Sequence, residues 1–477
     1  MARSDIKIVQ QLDITESHTS KGQKMRHKFN PQTSLFGAPC NSEIAKELEQ
    51  ISVVLDANPE LTDIVYTDLI RDSRPDTGRT GMNAEQALRC AVLKQYRELA
   101  YDELSFHVND SSAFRHFSRL EHRQYPCKSV LQENIKKLSE ETWEAIHRVV
   151  IGYAEREGIE TGKKIRIDST AVETDIHHPT DATLLADGIR IMTRWLLEGK
   201  LLNPRPHYSC SDHSLVVKKR LNTILNAKKE EPRKAAYRDL LHYAGKVAGY
   251  SLEAIPMFKA FDGALNDVFK AAALAARLER ALGILRRVID QTERRVFKGE
   301  KVPASQKVVS FFEDHTDIIV KSRRETQYGH KVFLSGGAST LILDCRVERG
   351  NPADTELYPQ MLERHKSLFG HMPRQIACDG GFASKDNLAF AKDNGVKDAV
   401  FSKKRGLSVL EMAKSAWVYK KLKNFRAGIE AGISVLKRAF GLDRCNWRGW
   451  EGFKQYVWSS IVSYNLLVIA RAKLANA

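Results

Sequence analysis

Apolar residues recur every three or four positions through the first third of the chain, the spacing that places them on one face of an α-helix. The repeat runs through "SEIAKELEQISVVLD", "ELTDIVYTDLIRD", "MNAEQALRCAVLKQYREL" and "SVLQENIKKLSEETWEAIHRVVIGYAERE". In the third segment Asn83 is the predicted N-cap, and Gln86 stands where it completes a capping box. "AYDELSFHVND" and "SSAFRHFSRL" follow as short helices at helix-turn-helix spacing. We therefore predict an all-α N-terminal domain over residues 41–157.

The pattern changes to that of a β-strand at "GKKIRIDSTAVETDI", where Ile165 and Ile167 alternate with polar residues. A charged, helix-rich stretch follows over about residues 181–301, and its last part predicts one or two long helices. Strand and helix patterns then alternate through "GHKVFLSG", "STLILDCRVERG", "DTELYPQMLERHKSLF", "RQIACD", "SKDNLAFAKDN" and "DAVFS". This alternation predicts an α/β domain over residues 158–477, a mixed sheet flanked by helices and interrupted by the helical insertion.

Charge narrows the class of partner. The chain has 477 residues, 42% hydrophobic and 28% charged, which is typical of a globular protein with two or three structural units. Its net charge of +16 at pH 7 favours a polyanionic partner, because neutralising phosphates releases condensed counterions. Residues 401–450 hold 12 Lys and Arg against 3 Asp and Glu, so much of the excess is local. Residues 1–40, which include "SKGQKMRHK", are predicted to be a flexible basic arm.

Cysteine usage and hydropathy indicate a cytoplasmic protein. The seven cysteines are scattered and include no CxxC pair, which indicates neither a disulfide framework nor a zinc ribbon. His207, Cys210 and His213 lie close together, but their spacing matches no common zinc pattern. The N-terminus lacks the apolar core of a signal peptide. Residues 456–475 are the most apolar run, yet Ser, Tyr, Asn and Arg interrupt it, which favours a buried helix over a membrane span.

Three carboxylates occupy positions from which they could hold divalent cations. Asp168 lies at the end of an alternating strand, and Asp379 ends the strand "RQIAC" directly before two glycines. Acids at strand ends lie in the crevice where open α/β sheets bind ligands. Glu430 lies in "FRAGIEAGISVLKR", a predicted helix with an apolar stripe that would pack on the sheet. Singly they could be a strand-end cap, a turn residue and half of an ion pair with Arg426; together they have the composition of a two-metal phosphoryl-transfer site.

These elements resemble a bacterial insertion-sequence transposase of the DDE class. In many members of that family the third acid lies in a signature of Arg, three residues, Glu, six residues and Lys. The chain has Arg426, Glu430 and Lys437 at this spacing, although Lys423 stands where the signature has a tyrosine. "IDSTAVETDIHHPTDATLL", "IACDGGFAS" and "RCNWRGWEGFKQYV" also resemble the family, and the resemblance covers about residues 80–475.

The resemblance implies an RNase H-like catalytic domain in which Asp168, Asp379 and Glu430 are both the catalytic residues and the ligands of Mg²⁺ or Mn²⁺, as two ions. It implies double-stranded DNA as partner, both transposon ends and target, and a homodimer or higher oligomer on that DNA. Trp447 either stacks on an unpaired base or anchors the last helices as a buried residue. The expected DNA-contacting residues are Arg426, Lys437, Lys423, Arg448 and Trp447.

The function that this resemblance implies is a DNA transposase that binds terminal inverted repeats and catalyses metal-dependent strand cleavage and strand transfer. Two alternatives stay open, a domesticated DNA-binding protein without catalysis and an RNase H-like nuclease with another substrate. The N-terminal helices either enter a major groove or form a packing or dimerisation domain. The insertion over residues 181–301 either contacts DNA, mediates dimerisation, shields the active site or serves as a scaffold.

Overall fold

The structure is a computed structural model that describes residue 28 and residues 42–71, 81–322 and 325–476. Apart from residue 28, the predicted basic arm over residues 1–40 lies outside the described residues. No helix among the described residues is long and apolar enough to cross a membrane. The apolar run at residues 456–475 instead belongs to a mostly buried helix, in agreement with the sequence prediction.

Among the described residues, seven helices precede the first strand. They are α1 Glu43–Asp56, α2 Glu60–Ile70, α3 Ala84–Tyr96, α4 Tyr101–Asp110, α5 Ser112–Phe117, α6 Lys128–Lys136 and α7 Glu140–Arg156. The predicted capping box is confirmed at α3, where Asn83 Oδ1 accepts a hydrogen bond from the Gln86 backbone N–H at 2.8 Å. Gln86 Oε1 accepts from the Asn83 backbone N–H in return, at 3.2 Å.

The strands form one mixed seven-stranded sheet, which confirms the predicted sheet type. They are β1 Lys164–Thr174, β2 Asp317–Ser322, β3 Glu325–Gly336, β4 Ile342–Glu348, β5 Gln375–Cys378, β6 Asp398–Phe401 and β7 Arg444–Cys445. β1 pairs antiparallel with β3 and parallel with β5, so it lies in the middle of the sheet. β4 pairs antiparallel with β3 and β6 parallel with β5, while β2 pairs with the first part of β3 and β7 with the end of β1.

Two groups of helices complete the chain. Between β1 and β2 lie α8 Asp181–Gly199, α9 Ser214–Asn226, α10 Glu230–Lys259 and α11 Leu265–Thr292. We call these four the helical insertion; the long helix expected before residue 301 is the single helix α11. Around the later strands lie α12 Asp354–Phe369, α13 Lys385–Asp393, α14 Val409–Met412, α15 Ala416–Ala439 and α16 Gly449–Asn476.

The buried apolar residues divide into two clusters. The larger cluster contains residues of α1–α7, of the sheet and of α12–α16, and we call this part the sheet body. Asn465 of α16 ties its helix to β4, because its side chain accepts from the Ile342 N–H at 3.0 Å and donates to the Ile342 carbonyl at 2.7 Å. The smaller cluster consists of residues of the helical insertion and its connections, together with Val308 and Phe311 from the segment before β2. Since α1–α7 share their core with the sheet, the predicted domain boundary at residue 157 stays a prediction.

Candidate active site

The guanidinium of Arg426 on α15 lies between the three predicted acids. Its Nη1 is 3.3 Å from Asp168 Oδ2 and 3.8 Å from Asp379 Oδ1. Its Nη2 is 2.8 Å from Glu430 Oε1. Three carboxylates that are up to 262 residues apart in the sequence, Asp168 to Glu430, therefore meet around one side chain.

Strand register explains why the two aspartates meet. β1 and β5 run parallel, and their last paired residues are Ile167 and Cys378. Asp168 comes next on β1 and Asp379 directly follows β5, so the two aspartates lie side by side. β5 ends there, at the edge where open α/β sheets bind ligands, whereas β1 continues to Thr174. The prediction that Asp168 ends its strand is therefore wrong, and the parallel pairing of β1 with β5 supplies the juxtaposition of the two acids.

Asp168 is the most buried of the three acids. Its side chain is 15% exposed, and its Oδ1 accepts a hydrogen bond from the Ser169 backbone N–H at 2.8 Å. Burial is the largest influence on this carboxyl and raises its pKa to about 6, and the charges of Asp379 and Glu430 act in the same direction. The Ser169 N–H and the Arg426 guanidinium oppose that rise. Arg426 therefore stabilises a carboxylate that burial destabilises.

Asp379 follows β5 and caps a short 3₁₀ turn. Its Oδ1 accepts from the Ser402 hydroxyl at 2.9 Å, and its side chain is 42% exposed. Burial pushes the pKa of Asp379 upward, but hydrogen bonds from Gly380, Ser402 and Gly381, together with the charge of Arg426, outweigh burial and lower it. The two neighbouring aspartates thus have pKa values displaced in opposite directions, a feature common at functional sites.

Glu430 is carried to the site by the packing of α15. The predicted apolar stripe of this helix is buried, as Ile429, Ile433, Leu436 and Phe440 all lie in the core of the sheet body. The Glu430 side chain is 57% exposed and lines a cleft of about 560 Å³. The other residues that line this cleft are Asp168, Ser169, Thr170, Ile433, Ser434, Lys437, Arg438 and Asp443.

Gly428 allows α15 to lie close against β1. A Cβ on Gly428 would collide with Nη1 of Arg166, which lies on β1, and would be 2.8 Å from its Cζ. Arg166 is buried, donates to the Phe425 carbonyl at 3.2 Å and lies 4.7 Å from the centre of the Phe425 ring. The absence of a side chain at Gly428 therefore leaves room for the Arg166 guanidinium. At this position α15 lies close to the sheet.

The remaining sequence-predicted residues lie in different environments. Lys437 lines the cleft, where its Nζ donates to the Ala171 carbonyl at 2.9 Å and pairs with Asp443 at 3.2 Å. Lys423 and Arg448 are exposed. Trp447 is only 6% exposed, and its ring packs against Tyr456 with 5.8 Å between centroids. The expectation that Trp447 stacks on a base does not fit this geometry, because no face of the ring is open; the structure favours the anchoring alternative.

Two residues near the acids, Ser402 and Asp354, were missed by sequence reasoning. Ser402 holds Asp379, although nothing in "DAVFS" marks that serine. Asp354, in the first turn of α12, accepts from the Ser169 hydroxyl at 3.4 Å and pairs with Lys331 at 3.1 Å. A Cβ on Gly381 would collide with the Asp354 carboxylate, which places a fourth acid beside the turn that follows Asp379. Only the position of Asp354 at a helix N-terminus could have drawn attention to it.

The three acids have the donor chemistry for Mg²⁺ or Mn²⁺, since hard divalent cations prefer carboxylate oxygens. Within residues 42–71, 81–322 and 325–476, no group of three or more His, Cys, Asp or Glu side chains is arranged to hold a metal ion. His207, Cys210 and His213 therefore form no such group either. One oxygen each of Asp168, Asp379 and Glu430 faces the Arg426 guanidinium, at 3.3, 3.8 and 2.8 Å.

Comparison with known families adds an independent finding. Residues 286–466 match the protein-family model described as a transposase DDE domain. The matched span includes Asp379 and Glu430, whereas Asp168 lies upstream of it on β1. Searches of curated proteins and of solved structures gave no match. Residues 286–466 are therefore similar to the transposase DDE domain, and this similarity supports the resemblance to DDE-class transposases.

Proposed function

We propose that the protein binds the ends of a mobile DNA element and catalyses metal-dependent cleavage and strand transfer there, with Asp168, Asp379 and Glu430 as catalytic residues. The observation that carries this proposal is the meeting of these three carboxylates around Arg426, where β5 ends beside β1. The Arg-Glu-Lys spacing at 426, 430 and 437 and the RNase H-like order of the sheet belong to the same proposal. The N-terminal helices would then contact the terminal repeats, and the protein would act as a dimer or higher oligomer.

The proposed reaction has two steps in one cleft. Water attacks a phosphodiester at the element end, and the bond from phosphorus to the 3′-oxygen breaks to leave a 3′-hydroxyl. That hydroxyl then attacks a phosphodiester of target DNA, so that the element becomes joined to the target's 5′-phosphate while the bond from phosphorus to the target's 3′-oxygen breaks and leaves a 3′-hydroxyl. Two divalent cations bound to the three carboxylates would activate the attacking oxygen and stabilise the leaving one.

The chain's own residues orient the substrate in this proposal. Ser402 and the turn at Gly381 hold the Asp379 carboxylate by hydrogen bonds, so it is oriented before substrate arrives. Lys437 is fixed by the Ala171 carbonyl and Asp443 at the cleft wall, where its ammonium can approach a phosphate as a point charge. The guanidinium of Arg426 offers two parallel N–H donors to phosphate oxygens.

The surface beside the site suits a nucleic-acid backbone. Its exposed basic residues lie in the loop after β6 and on the first turns of α15; they are Lys403, Lys404, Arg405, Lys420, Lys421 and Lys423. In the part of the chain that the structure describes, none of the six forms an ion pair with a carboxylate. Lys403 adjoins the turn after Asp379, since a Cβ on Gly380 would lie 2.7 Å from the Lys403 Cβ. Unpaired positive charge that begins at the catalytic turn favours a phosphate-rich substrate.

The test is a cleavage assay on a DNA duplex that carries the ends of the element flanking the gene, with Mg²⁺ present. Asp379→Asn should lower the rate by at least about a hundredfold, since a metal-dependent site derives several kcal/mol from its ligands. The matched control is Asp239→Asn, which removes a carboxylate that pairs with Arg220 on the helical insertion at 2.6 Å and should leave the rate unchanged. No cleavage by the unaltered protein, or equal rates for the unaltered protein and Asp379→Asn, would contradict the proposal.

Two additional substrates separate the alternatives. A non-catalytic DNA-binding protein would shift the end duplex in a gel without cutting it. A nuclease of the RNase H type would cut an RNA–DNA hybrid in preference to the end duplex. Joining of the cleaved 3′-end to a second duplex is expected only of a transposase.

A further inference from the structure

Arg426 makes contacts that a side chain dedicated to substrate would not need. Its two Nη atoms reach Asp168, Asp379 and Glu430 at 3.3, 3.8 and 2.8 Å, and the side chain is only 18% exposed. In this orientation the guanidinium neutralises a cluster of three carboxylates, one of which is largely buried. Without it, three negative charges would face one another at short range.

The orientation of Arg426 also leaves one of its donors unused. Its Nε–H is buried and has no hydrogen-bond partner among the described residues. An unpaired buried donor costs about 1–3 kcal/mol. The two Nη atoms therefore form ion pairs while the Nε–H donor of the same guanidinium stays unpaired.

We propose that Arg426 is a competing cation, which must turn away from the three carboxylates before they can bind a divalent metal ion. The guanidinium lies against one oxygen of each carboxylate, and a metal ion held between the three carboxylates would have to occupy its place. This inference rests on the metal site of the proposed function and adds to it how that site is kept closed.

Competition of this kind couples metal binding to DNA binding. A phosphate in the cleft offers the guanidinium another anion, so bound DNA releases the carboxylates and raises their affinity for the metal ion. By thermodynamic linkage, the metal ion raises the affinity for DNA by the same factor. The protein would thus acquire its catalytic ions together with its substrate, which restrains cleavage in the absence of a correctly bound strand.

The test measures metal binding by titration calorimetry with Mn²⁺ on the full chain in the absence of DNA. Arg426→Gln removes the competing cation and should tighten Mn²⁺ binding by about tenfold or more, within the range usual for coupled sites. Lys437→Gln is the matched control, since it removes one positive charge from the same helix but contacts Ala171 and Asp443 instead of the three acids. Through-space charge alone would tighten binding equally in both variants, and that result would overturn the proposal.

A second arm tests the coupling. Addition of a short duplex should tighten Mn²⁺ binding to the unaltered protein and leave the affinity of Arg426→Gln nearly unchanged. Arg426→Lys keeps the charge and serves as a check on folding, together with the melting temperature of each variant. If neither the unaltered protein nor Arg426→Gln binds Mn²⁺, or if Asp168→Asn leaves binding unchanged, the inference is wrong.

These results are separable from those of the cleavage assay. Tighter metal binding by Arg426→Gln in a protein that cuts no DNA would leave this inference standing and overturn the proposed function. Metal-dependent cleavage by a protein whose Arg426→Gln and Lys437→Gln variants bind Mn²⁺ equally would do the opposite.

Discussion

The sheet body and the helical insertion bury their side chains in different ways. The helical insertion has a core of Ala, Leu, Ile and Val from α8, α10 and α11, with few buried charges. The sheet body also buries charged or titratable side chains, those of Arg166, His330, Asp344 and His365. Its β1 packs so closely that an added Cβ on Gly428 of α15 or on Gly329 of β3 would collide with β1. The difference indicates that close backbone approach and buried charge occur where the three acids are assembled, whereas the helical insertion follows ordinary helix packing.

The largest loss of stability should come from removing a large side chain from either core. Phe258 in the helical insertion and Phe333 in the sheet body are both buried, and replacement of either by Ala should cost about 3–5 kcal/mol. Because the clusters are separate, Phe258→Ala should speed amide hydrogen exchange in α8, α10 and α11 while β1 and β3 stay protected. Phe333→Ala should expose β1 and β3 first. If either variant raised exchange uniformly, the two cores would be one cooperative unit and the comparison would fail.

The next effect is a dependence of stability on pH that arises in the sheet body. His365 of α12 stacks on Phe369 with 4.7 Å between centroids, and burial lowers its pKa to about 4. An unfolded histidine has a pKa near 6.5, so below that pH the unfolded chain binds a proton that the folded chain excludes. Stability should therefore fall by up to about 3 kcal/mol as the pH drops from 6.5 to 4.

Denaturation in urea at several pH values measures this loss. His365→Phe keeps an aromatic ring beside Phe369 and removes the titrating group, so its stability should fall less over the same range. An unchanged slope of stability against pH in that variant would assign the dependence to other groups.

A smaller effect tests the close approach of strands. A Cβ on Gly329 would collide with the Val172 carbonyl oxygen and lie 2.7 Å from Glu173 Cα, both backbone atoms of β1. Gly329→Ala should therefore destabilise the protein by about 1–3 kcal/mol or more, because neither strand can move without breaking the ladder. Its melting temperature gives the measurement.

The matched control lies in the helical insertion. A Cβ on Gly283 of α11 would meet nothing within 4 Å, so Gly283→Ala should stabilise the protein by about 0.5–1 kcal/mol through helix propensity. Replacement of glycine by alanine is thus expected to lower stability in the sheet body and to raise it in the helical insertion. A change in stability of the same sign in both variants would show that the free space around a glycine does not distinguish the two regions.

The last effect arises from the free-energy cost of burying the Asp168 carboxylate. Since burial raises the pKa of Asp168 to about 6, the ionised side chain destabilises the metal-free fold at pH 8. Asp168→Asn should therefore raise metal-free stability at that pH by about 1–2 kcal/mol while it abolishes cleavage. At pH 4 the gain should largely disappear, because the carboxyl of the unaltered protein is then protonated. A loss of stability at pH 8 would mean that the ion pair with Arg426 outweighs burial.

Local patterns in the sequence predicted many elements. The apolar periodicity identified α1, α3 and α7, the capping box at Asn83 is present, and the alternation at Ile165 and Ile167 marks β1. These succeed because helix and strand periods depend on neighbouring residues. The burial of Trp447 could not be predicted in this way, because an aromatic residue among basic ones is compatible with a buried anchor and with an exposed stacking surface alike.

The sequence by itself identified the three candidate acids, the strand or helix next to which each lies, and the local excess of positive charge. Only the tertiary structure decided that Asp168 and Asp379 stand side by side, since this depends on the parallel register of β1 and β5. It also decided that Gly428 faces Arg166 on the sheet, and that Arg426 lies among all three carboxylates. An i,i+4 spacing predicts the contact of Arg426 with Glu430, but its contacts with the two aspartates exist only because buried apolar side chains hold α15 against the sheet.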